Sequence, residues 1–395
     1  MTTRDPLQAP PFRRSLVHLL LITGVFFFNF IARIALAPFL VEIEQEFDLS
    51  HTEAGGLFLV ISLGISLALV SSGFVSRALT HRRTIILSSV CVGLALSVVA
   101  WSRSLLLLQA GLFLLGVSAG IYFPSGIATV ASILKPSDWG KGFSIHELAP
   151  NLSFLTAPLL ALWLGPVMSW RSLLLCLGGA SLAMGGVFAL YGKGGGYRGE
   201  APRLDVMQQI ARRPEFWVLV LLFGLAIAAN VAPFSMLAVY LIDARGYDLE
   251  RANTLITLSR VAGPIVVLGA GWIIDRLGAR RTAVVSMGVT GLFTVLLGLA
   301  QGPYVSVTVI AQPLLSVCYF PAGFTVQSQI FDSRQRNVAV SLVIPLALLF
   351  GTGLVPTLMG WFGDQKRFEL GFVLLGALLL GGTFITGKVL FKADR

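Results

Sequence analysis

Residues 271–281 decide the fold, and they read Gly271-Trp272-Ile273-Ile274-Asp275-Arg276-Leu277-Gly278-Ala279-Arg280-Arg281. Long apolar runs lie on both sides of this stretch. A related stretch occurs 198 positions earlier, where the chain reads Gly73-Phe74-Val75-Ser76-Arg77-Ala78-Leu79-Thr80-His81-Arg82-Arg83. The glycine and the paired arginines recur at the same spacing, and 198 is about half of the 395 residues. The chain therefore consists of two similar halves, a repeat that is typical of membrane transporters when the protein is very apolar.

Further matches support this repeat. Tyr122-Phe123-Pro124-Ser125-Gly126 returns 197 positions later as Tyr319-Phe320-Pro321-Ala322-Gly323. Residues 47–49 return 200 positions later as residues 247–249. The proline of each five-residue match removes a backbone hydrogen bond, and glycine follows it two positions later. These two sites are the predicted bending points of their helices.

Composition restricts the class of protein. Hydrophobic residues make up 55% of the chain and charged residues 12%, which is about half the charged share of a soluble domain. An α-helix needs about 20 apolar residues to cross a bilayer. Twelve segments meet this condition: 16–41, 53–76, 84–101, 104–133, 142–165, 171–191, 216–242, 251–275, 282–301, 303–330, 337–361 and 368–390. The sequence therefore predicts an all-α integral membrane protein.

The distribution of charge predicts the orientation of the chain. There are 29 Lys and Arg residues against 19 Asp and Glu residues, for a net charge of +10. Most of the basic residues lie in short segments on one side of the predicted spans, which indicates a membrane orientation signal and not nucleic-acid binding. The positive-inside rule then places both termini in the cytoplasm, in a cell (inner, cytoplasmic) membrane. The first outer loop is instead predicted to be acidic, with Glu42, Glu44, Glu46 and Asp48.

The repeat divides the chain into two predicted six-helix bundles, residues 1–191 and 216–395, joined by a cytoplasmic linker at 192–215. Apolar residues recur at helical spacing over 204–210, among arginines. This pattern fits a short helix on the inner membrane surface and equally a solvated connector. The three cysteines form no CxxC pair, so we expect neither a structural metal nor a cofactor.

The six-plus-six arrangement and the motif G-x-x-x-D-R-x-G-x-R-R at 271–281 closely resemble the major facilitator superfamily (MFS). The resemblance covers nearly the whole chain. It implies two pseudo-symmetric bundles that rock about a central site, so that the site opens to one side of the membrane at a time. It also implies a secondary transporter without enzyme activity, which we expect to be a monomer in contact with membrane lipids.

The resemblance assigns a conformational latch to the loop motif. Asp275 is expected to accept hydrogen bonds from the positive N-terminal end of a neighbouring helix, and the motif's arginines are expected to hold lipid phosphates and carboxylates. The first half has Arg77 in place of the aspartate, so the latch should be weaker there. The arginines of that half either take part in the latch or only fix the topology. The predicted latch residues are Asp275, Arg276, Arg280, Arg281, Arg82 and Arg83.

Ionisable side chains inside the predicted spans are candidates for function, because each costs about 2.5 kcal/mol or more at the centre of a membrane helix. Arg33 lies in the first span and Arg260 in the eighth, one in each half. A guanidinium group binds carboxylate or phosphate oxygens through two parallel hydrogen bonds. The pair predicts an anion site. The alternatives are that Arg33 reaches towards Glu42 and Glu44 and that Arg260 forms a structural ion pair.

The superfamily resemblance adds to this prediction. An arginine in the eighth span binds the substrate carboxylate in monocarboxylate and oxalate carriers, and Arg260 is placed similarly. Spans one, four, seven and ten line the cavity in this superfamily, and their amides and hydroxyls would hydrogen-bond a hydroxy acid. Each such residue is alternatively a helix–helix contact. The implied liners are Asn29, Tyr122, Asn230 and Tyr319.

The sequence as a whole predicts a secondary transporter for a small organic anion, with a carboxylate as the favoured class. Proton symport and anion exchange are both open as driving forces. His146 and Glu147 in the fifth span are the candidates for proton coupling or gating. Leu112 stands where many proton-coupled members carry an arginine, which argues against a typical proton-driven drug exporter. The alternatives are an exporter of a drug, siderophore or other amphiphile, and a membrane receptor that binds its ligand without transport.

Overall fold

The computed structural model describes residues 12–200, 204–330 and 333–392. Within these residues the regular structure is helical, and twelve helices are long and apolar enough to cross a membrane. They are α1 (Phe12–Phe47), α2 (His51–Ala78), α3 (His81–Trp101), α4 (Leu105–Ile133), α5 (Pro136–Leu164), α6 (Trp170–Tyr191), α7 (Pro214–Ala244), α8 (Leu249–Ala270), α9 (Ala279–Leu299), α10 (Tyr304–Gly323), α11 (Ser341–Asp364) and α12 (Phe368–Thr386). Every predicted span overlaps one of them. The predicted all-α membrane architecture is confirmed.

The helical backbone extends beyond four of these bounds. It continues to Leu277 after α8, to Ile330 after α10 and to Lys392 after α12, and it begins at Ser333 before α11. The motif that defines the repeat therefore starts on the last turns of the α8 helix.

The acidic segment after the first predicted span is helical, where the sequence predicted a loop. A 3-10 turn at Ala37–Phe39 interrupts α1, which then continues as the helix Leu40–Phe47. Pro38 fits this turn because a proline at the start of a helix removes an N–H that has no intrahelical partner. The helix buries Glu44 and ends at Asp48, whose backbone is left-handed (φ 53°). The loop prediction was wrong because charge alone was weighed, although glutamate is a good helix former.

The helices that carry the repeated tyrosine are interrupted at the same place in both halves. In α4 a new helical segment begins at Tyr122, and in α10 a 3-10 turn precedes the segment that begins at Tyr319. The glycine four residues later leaves room for each ring. A Cβ atom on Gly126 would lie 2.7 Å from Cζ of Tyr122, and one on Gly323 would lie 3.1 Å from Cε1 of Tyr319. The repeated sequence therefore produces the same local structure twice.

The chain forms two compact units, which do not coincide with the two sequence halves. One comprises Met1–Ala35, Gly64–Phe154 and Val167–Pro202, and the other comprises Leu36–Leu63, Leu155–Pro166 and Arg203–Arg395. Each has its own apolar core. The core of the first contains Leu19, Ile22, Phe26, Tyr122 and Phe188, and that of the second contains Ile210, Phe216, Phe223, Ile227 and Val343.

Glycine pairs allow the closest helix crossings in each unit. In the first, α3 crosses α6 where a Cβ on Gly178 would lie 2.9 Å from the carbonyl oxygen of Gly93. In the second, α9 crosses α12 where a Cβ on Gly376 would lie 2.5 Å from the backbone nitrogen of Val295 and 2.7 Å from the carbonyl oxygen of Gly291. The two pairs are related by the repeat offset of 198 residues. Small residues at such crossings bring helix backbones together in membranes.

The structure describes residues 192–200 and 204–215 of the predicted linker. Its first part follows the first unit, where the Arg82 N–H donates to the carbonyl of Gly195 (2.7 Å) and the Tyr197 hydroxyl donates to the carbonyl of Ala128 (2.9 Å). Gly195 has φ 65°, a backbone conformation that glycine adopts without strain. The second part is the helix Leu204–Ala211. This segment is thus helical, and its position on the inner membrane surface stays a prediction.

We expect Gly376→Ala to destabilise the protein by about 1–3 kcal/mol, because the added methyl group meets backbone atoms that cannot move aside. The measurement is the apparent midpoint of thermal unfolding in detergent. Gly381→Ala is the matched control on the same helix, since a Cβ there meets nothing within 4 Å. This control should be neutral or slightly stabilising, because alanine favours a helix over glycine. Equal midpoints for the two variants would contradict the assigned crossing.

Candidate functional site

Arg260 is a buried arginine of the second unit. It is the last residue of the helical segment Leu249–Arg260 in α8, and its exposed fraction is 6%. Nη1 donates to Oδ1 of Asn230 (2.8 Å), and Nη2 donates to the carbonyl oxygen of the same residue (3.1 Å). The guanidinium carbon lies 5.0 Å from the centre of the Phe234 ring. Asn230 and Phe234 of α7 therefore fix the orientation of the guanidinium group.

A proline explains why polar groups converge on this part of α7. Pro233 has no N–H, so the carbonyl of Ala229 loses its helical hydrogen bond. The Gln312 side chain of α10 donates to this carbonyl (2.7 Å) and also to the Thr294 hydroxyl of α9 (3.1 Å). Gln312 is buried. It was not selected from the sequence, although an interior proline is a sequence signal for a carbonyl that needs another donor.

Arg33 in the first unit has a different environment. Its guanidinium carbon lies 4.3 Å from the centre of the Phe30 ring, one turn earlier on the helix. Within residues 12–200, 204–330 and 333–392, no ion pair involves Arg33. Glu44, one of its two predicted alternative partners, instead lies 3.0 Å from the His51 ring. In the described structure, Arg33 is thus a cation stacked on an aromatic ring.

Tyr122, His146 and Phe26 form a buried aromatic cluster in the first unit. The Tyr122 hydroxyl donates to the carbonyl of Ile22 (3.0 Å) and lies 3.0 Å from Nε2 of His146. A phenol has one hydrogen to donate, so the Nε2 atom carries the proton shared with Tyr122. The His146 ring stacks on Phe26 at 4.4 Å. Glu147 follows directly at the junction between the two helical segments of α5, partly exposed.

The remaining predicted liners differ in their contacts. Asn29 is buried, and its Nδ2 donates to the Ser88 hydroxyl (3.2 Å) and to the carbonyl of Ala119 (3.3 Å). These bonds join α1 to α3 and α4, which is the structural alternative considered for this residue. Tyr319 is also buried, and its ring meets Phe223 edge to face at 5.8 Å. Among the described side chains, none hydrogen-bonds the Tyr319 hydroxyl.

The predicted latch residues of the second half lie around the end of the helix Gly263–Leu277 and the start of α9. Asp275 is exposed, and no hydrogen bond or ion pair to another described residue involves its carboxylate. The Arg276 guanidinium carbon lies 4.1 Å from the centre of the Trp272 ring. Arg280 is partly buried and Arg281 is exposed.

The corresponding residues of the first half have structural contacts. Nη2 of Arg82 donates to the carbonyl of Ala189 at the end of α6 (2.9 Å). Arg83 is exposed, and its N–H donates to the Thr80 hydroxyl that caps α3 (3.2 Å). Arg82 therefore joins α3 to α6 and, through its N–H, to the linker.

Sequence reasoning missed a polar cluster at one end of the second unit. His51 at the start of α2 lies between Glu44 of α1 and Asp243 of α7, at 3.0 Å from each carboxylate. Asp364 at the end of α11 accepts hydrogen bonds from the backbone of His51 (2.8 Å) and Thr52 (3.0 Å). The sequence signal was a histidine directly after an acidic segment, but the two aspartates lie about 190 and 310 residues away along the chain.

We expect Tyr122→Phe to lower stability by about 1–2 kcal/mol, because the buried carbonyl of Ile22 and the His146 Nε2 both lose their partner. The repeat-related variant Tyr319→Phe is the control, since the described structure shows no partner for its hydroxyl. Apparent thermal midpoints of both variants in detergent test this difference. If the two substitutions lower the midpoint equally, the Tyr122 bonds do not contribute as assigned.

Known proteins resemble this chain in sequence. A family model described as Major Facilitator Superfamily matches residues 22–312 and 262–395. The probable sulfoacetate transporter SauU of Cupriavidus necator is 21% identical over 390 residues, covering 90% of this chain and 89% of that protein. The probable galactarate/D-glucarate transporter GudP of Escherichia coli is 23% identical over 190 residues, covering 46% of this chain and 42% of that protein.

A solved structure shows the same fold. The bacterial homologue of the human lysosomal transporter Spinster, in an inward-facing and unoccupied conformation, superposes with a TM-score of 0.78 at 15% identity, covering 98% of this chain and 99% of that one. This similarity shows the fold. The family model and the twelve helices identify a multi-pass membrane transporter and not an enzyme. The chain belongs to the Major Facilitator Superfamily.

Proposed function

We propose that the protein is a secondary transporter that moves a small organic anion, with a carboxylate as the favoured class, across the cytoplasmic membrane by alternating access. Arg260 in the second unit and Arg33 in the first are the proposed charge partners of the anion. The observation that carries the proposal is the Arg260 guanidinium, buried within a membrane span and oriented by two oxygens of Asn230.

The chemistry of the Asn230 contacts supports anion binding. An amide oxygen and a main-chain carbonyl, both without formal charge, accept hydrogen bonds from the guanidinium group and orient it. A fixed guanidinium group loses less conformational freedom when it binds a carboxylate, which makes binding tighter. The two parallel N–H groups of an arginine fit the two oxygens of a carboxylate. Asn230 thus acts in this proposal as the residue that aims Arg260, and not as a direct ligand.

The first unit supports the proposal through Arg33 and Glu147. A charge at membrane depth is costly and marks a functional site by default. The described part of the chain offers Arg33 an aromatic ring and no ion pair, so its positive charge is available to an anion. Within the described part of the chain, Glu147 likewise has no ion pair. It comes directly after His146, which hydrogen-bonds Tyr122. It is the proposed coupling group if a proton accompanies the anion.

The names of two relatives agree with this substrate class. Sulfoacetate, galactarate and D-glucarate are small organic acids that carry carboxylates, and they are named for proteins that are 21% and 23% identical to this chain. We propose the same class of solute here, with both termini in the cytoplasm and with proton symport or anion exchange as the driving force. The predicted liners Tyr319 and Asn29 remain proposals for contact with the solute.

The experiment is uptake into proteoliposomes of a panel of labelled acids that includes sulfoacetate and D-glucarate. We expect saturable uptake by the wild type, and a loss of at least about tenfold in kcat/KM for Arg260→Gln, since a hydrogen bond to a charged group contributes about 1.5–3 kcal/mol. Arg260→Lys keeps the charge without the fork, so it should lie between the two. Asn230→Ala should raise KM more than it lowers kcat.

Arg251→Gln is the matched control, because Arg251 is an exposed arginine on the first turn of the same helix, stacked on Tyr247 at 4.2 Å. It should transport like the wild type. Equal uptake by Arg260→Gln and the wild type would exclude Arg260 as the anion ligand. A wild type that ignores every acid but is inhibited by bulky amphiphiles would instead support an exporter of amphiphilic compounds.

A further inference from the structure

Two carboxylates contact one imidazole ring at the end of the second unit where α1 and α2 meet α7 and α11. Nδ1 of His51 hydrogen-bonds Oε1 of Glu44 (3.0 Å), and Nε2 lies 3.0 Å from Oδ2 of Asp243. A neutral imidazole has one N–H, whereas the imidazolium ion has two. The protonated ring is therefore the form that satisfies both carboxylates. The side chain of His51 is 21% exposed and that of Asp243 is 42% exposed, so solvent protons reach the site.

Asp364 of α11 fixes the position of His51 from a second side. Its carboxylate accepts the backbone N–H of His51 (2.8 Å), the backbone N–H of Thr52 (3.0 Å) and the Thr52 hydroxyl. This is a capping arrangement in which the acid comes from another helix. The His51 ring also lies 5.1 Å from the ring of Phe368 at the start of α12. These contacts place the imidazole between Glu44 and Asp243 while the helix ends are packed together.

The charged groups around His51 make the net charge of the cluster depend on whether the ring is protonated. The carboxylates of Glu44 and Asp243 contact the ring, and that of Asp364 contacts the backbone N–H of His51. On the adjacent part of α12, Glu369 instead pairs with Arg245 (3.6 Å). Protonated His51 supplies the one positive charge in the group formed by itself and these three acids. Loss of that proton leaves the three carboxylates, one each from α1, α7 and α11, to repel one another.

The ends of α2 and α11 are packed closely, so repulsion between the carboxylates acts directly on their contact. A Cβ on Gly55 of α2 would lie 2.5 Å from the carbonyl oxygen of Pro356 in α11. Gly360 of α11 faces the backbone of His51 in the same way. Segment Leu36–Leu63 belongs to this unit, whereas the rest of α1 and α2 belongs to the other. Release of this segment would therefore free the ends of α1 and α2.

We propose that His51 is a proton-binding site: its protonated form locks the ends of α1 and α2 onto the ends of α7 and α11, and its neutral form releases them. The lock does not depend on which solute the protein carries. In the proposed orientation this end faces the outside. A proton taken up there favours closure of the outer end, and this is the step that a proton symporter needs after loading.

The test measures the distance between spin labels at Gln45 of α1 and Gln365, next to α11, in lipid nanodiscs at a series of pH values. Both side chains are exposed. The background replaces Cys91, Cys176 and Cys318 by alanine and must retain the thermal midpoint of the wild type. We expect one short distance at about pH 5 and a second, longer distance that grows through the range in which histidine titrates, up to about pH 8.

Substitutions in the cluster distinguish an effect of His51 protonation from an effect of side-chain packing. His51→Gln cannot be charged, so the long distance should be present at every pH. His51→Lys carries a permanent charge over this range, so it should keep the short distance at every pH. Asp243→Asn removes one attraction for the proton, and the transition should move to lower pH by about one unit, a tenfold change in proton affinity. His18→Gln is the control and should respond to pH like the wild type.

Three results would overturn the proposal. The first is a wild type whose distances do not change with pH, and the second is a His51→Gln variant that keeps the wild-type transition. The third is a transition that requires a divalent cation and disappears with EDTA, which would make the cluster a metal site. Because the measurement uses no substrate, its outcome is independent of the anion transport proposed above.

Discussion

The interior of a bilayer offers no hydrogen-bonding partner, and the polar contacts of this protein follow from that constraint. Asn29 reaches the neighbouring helices, the Tyr122 hydroxyl uses a main-chain carbonyl, and Gln312 bonds the carbonyl that Pro233 leaves without its helical donor. Each such bond crosses between helices, so it both satisfies a polar group and fixes where two helices meet. The same constraint gives a buried arginine such as Arg260 a high free-energy cost, which marks it as a candidate for function.

The fold could be predicted from the sequence because the lipid bilayer restricts which structures can cross it. Length and apolarity identify spanning helices without any knowledge of packing, and the offset of about 198 residues revealed the repeat. The chain outside the apolar runs was harder. The segment around Glu44 was predicted to be a loop, and it is a helix with one buried acid. A count of charges cannot show which face of a short helix another helix covers.

The predicted site residues were chosen for their chemistry, and the structure distinguishes them by their partners. Arg260 and Asn230 were selected separately and prove to bond each other. Asn29 was selected for the same reason, yet its amide joins three helices. The cluster around His51 could not be found in this way, because its acids come from α1, α7 and α11 and approach one another only after those helices have packed.

The repeat also shows how two similar halves acquire different tasks. Tyr122 and Tyr319 start equivalent helical segments over equivalent glycines, yet a histidine pairs with the first hydroxyl and no described side chain pairs with the second. The arginines differ likewise, since one is held by an asparagine and the other rests on a phenylalanine ring. The repeat therefore preserves the helical framework, while residues outside the repeated matches determine which polar groups find partners.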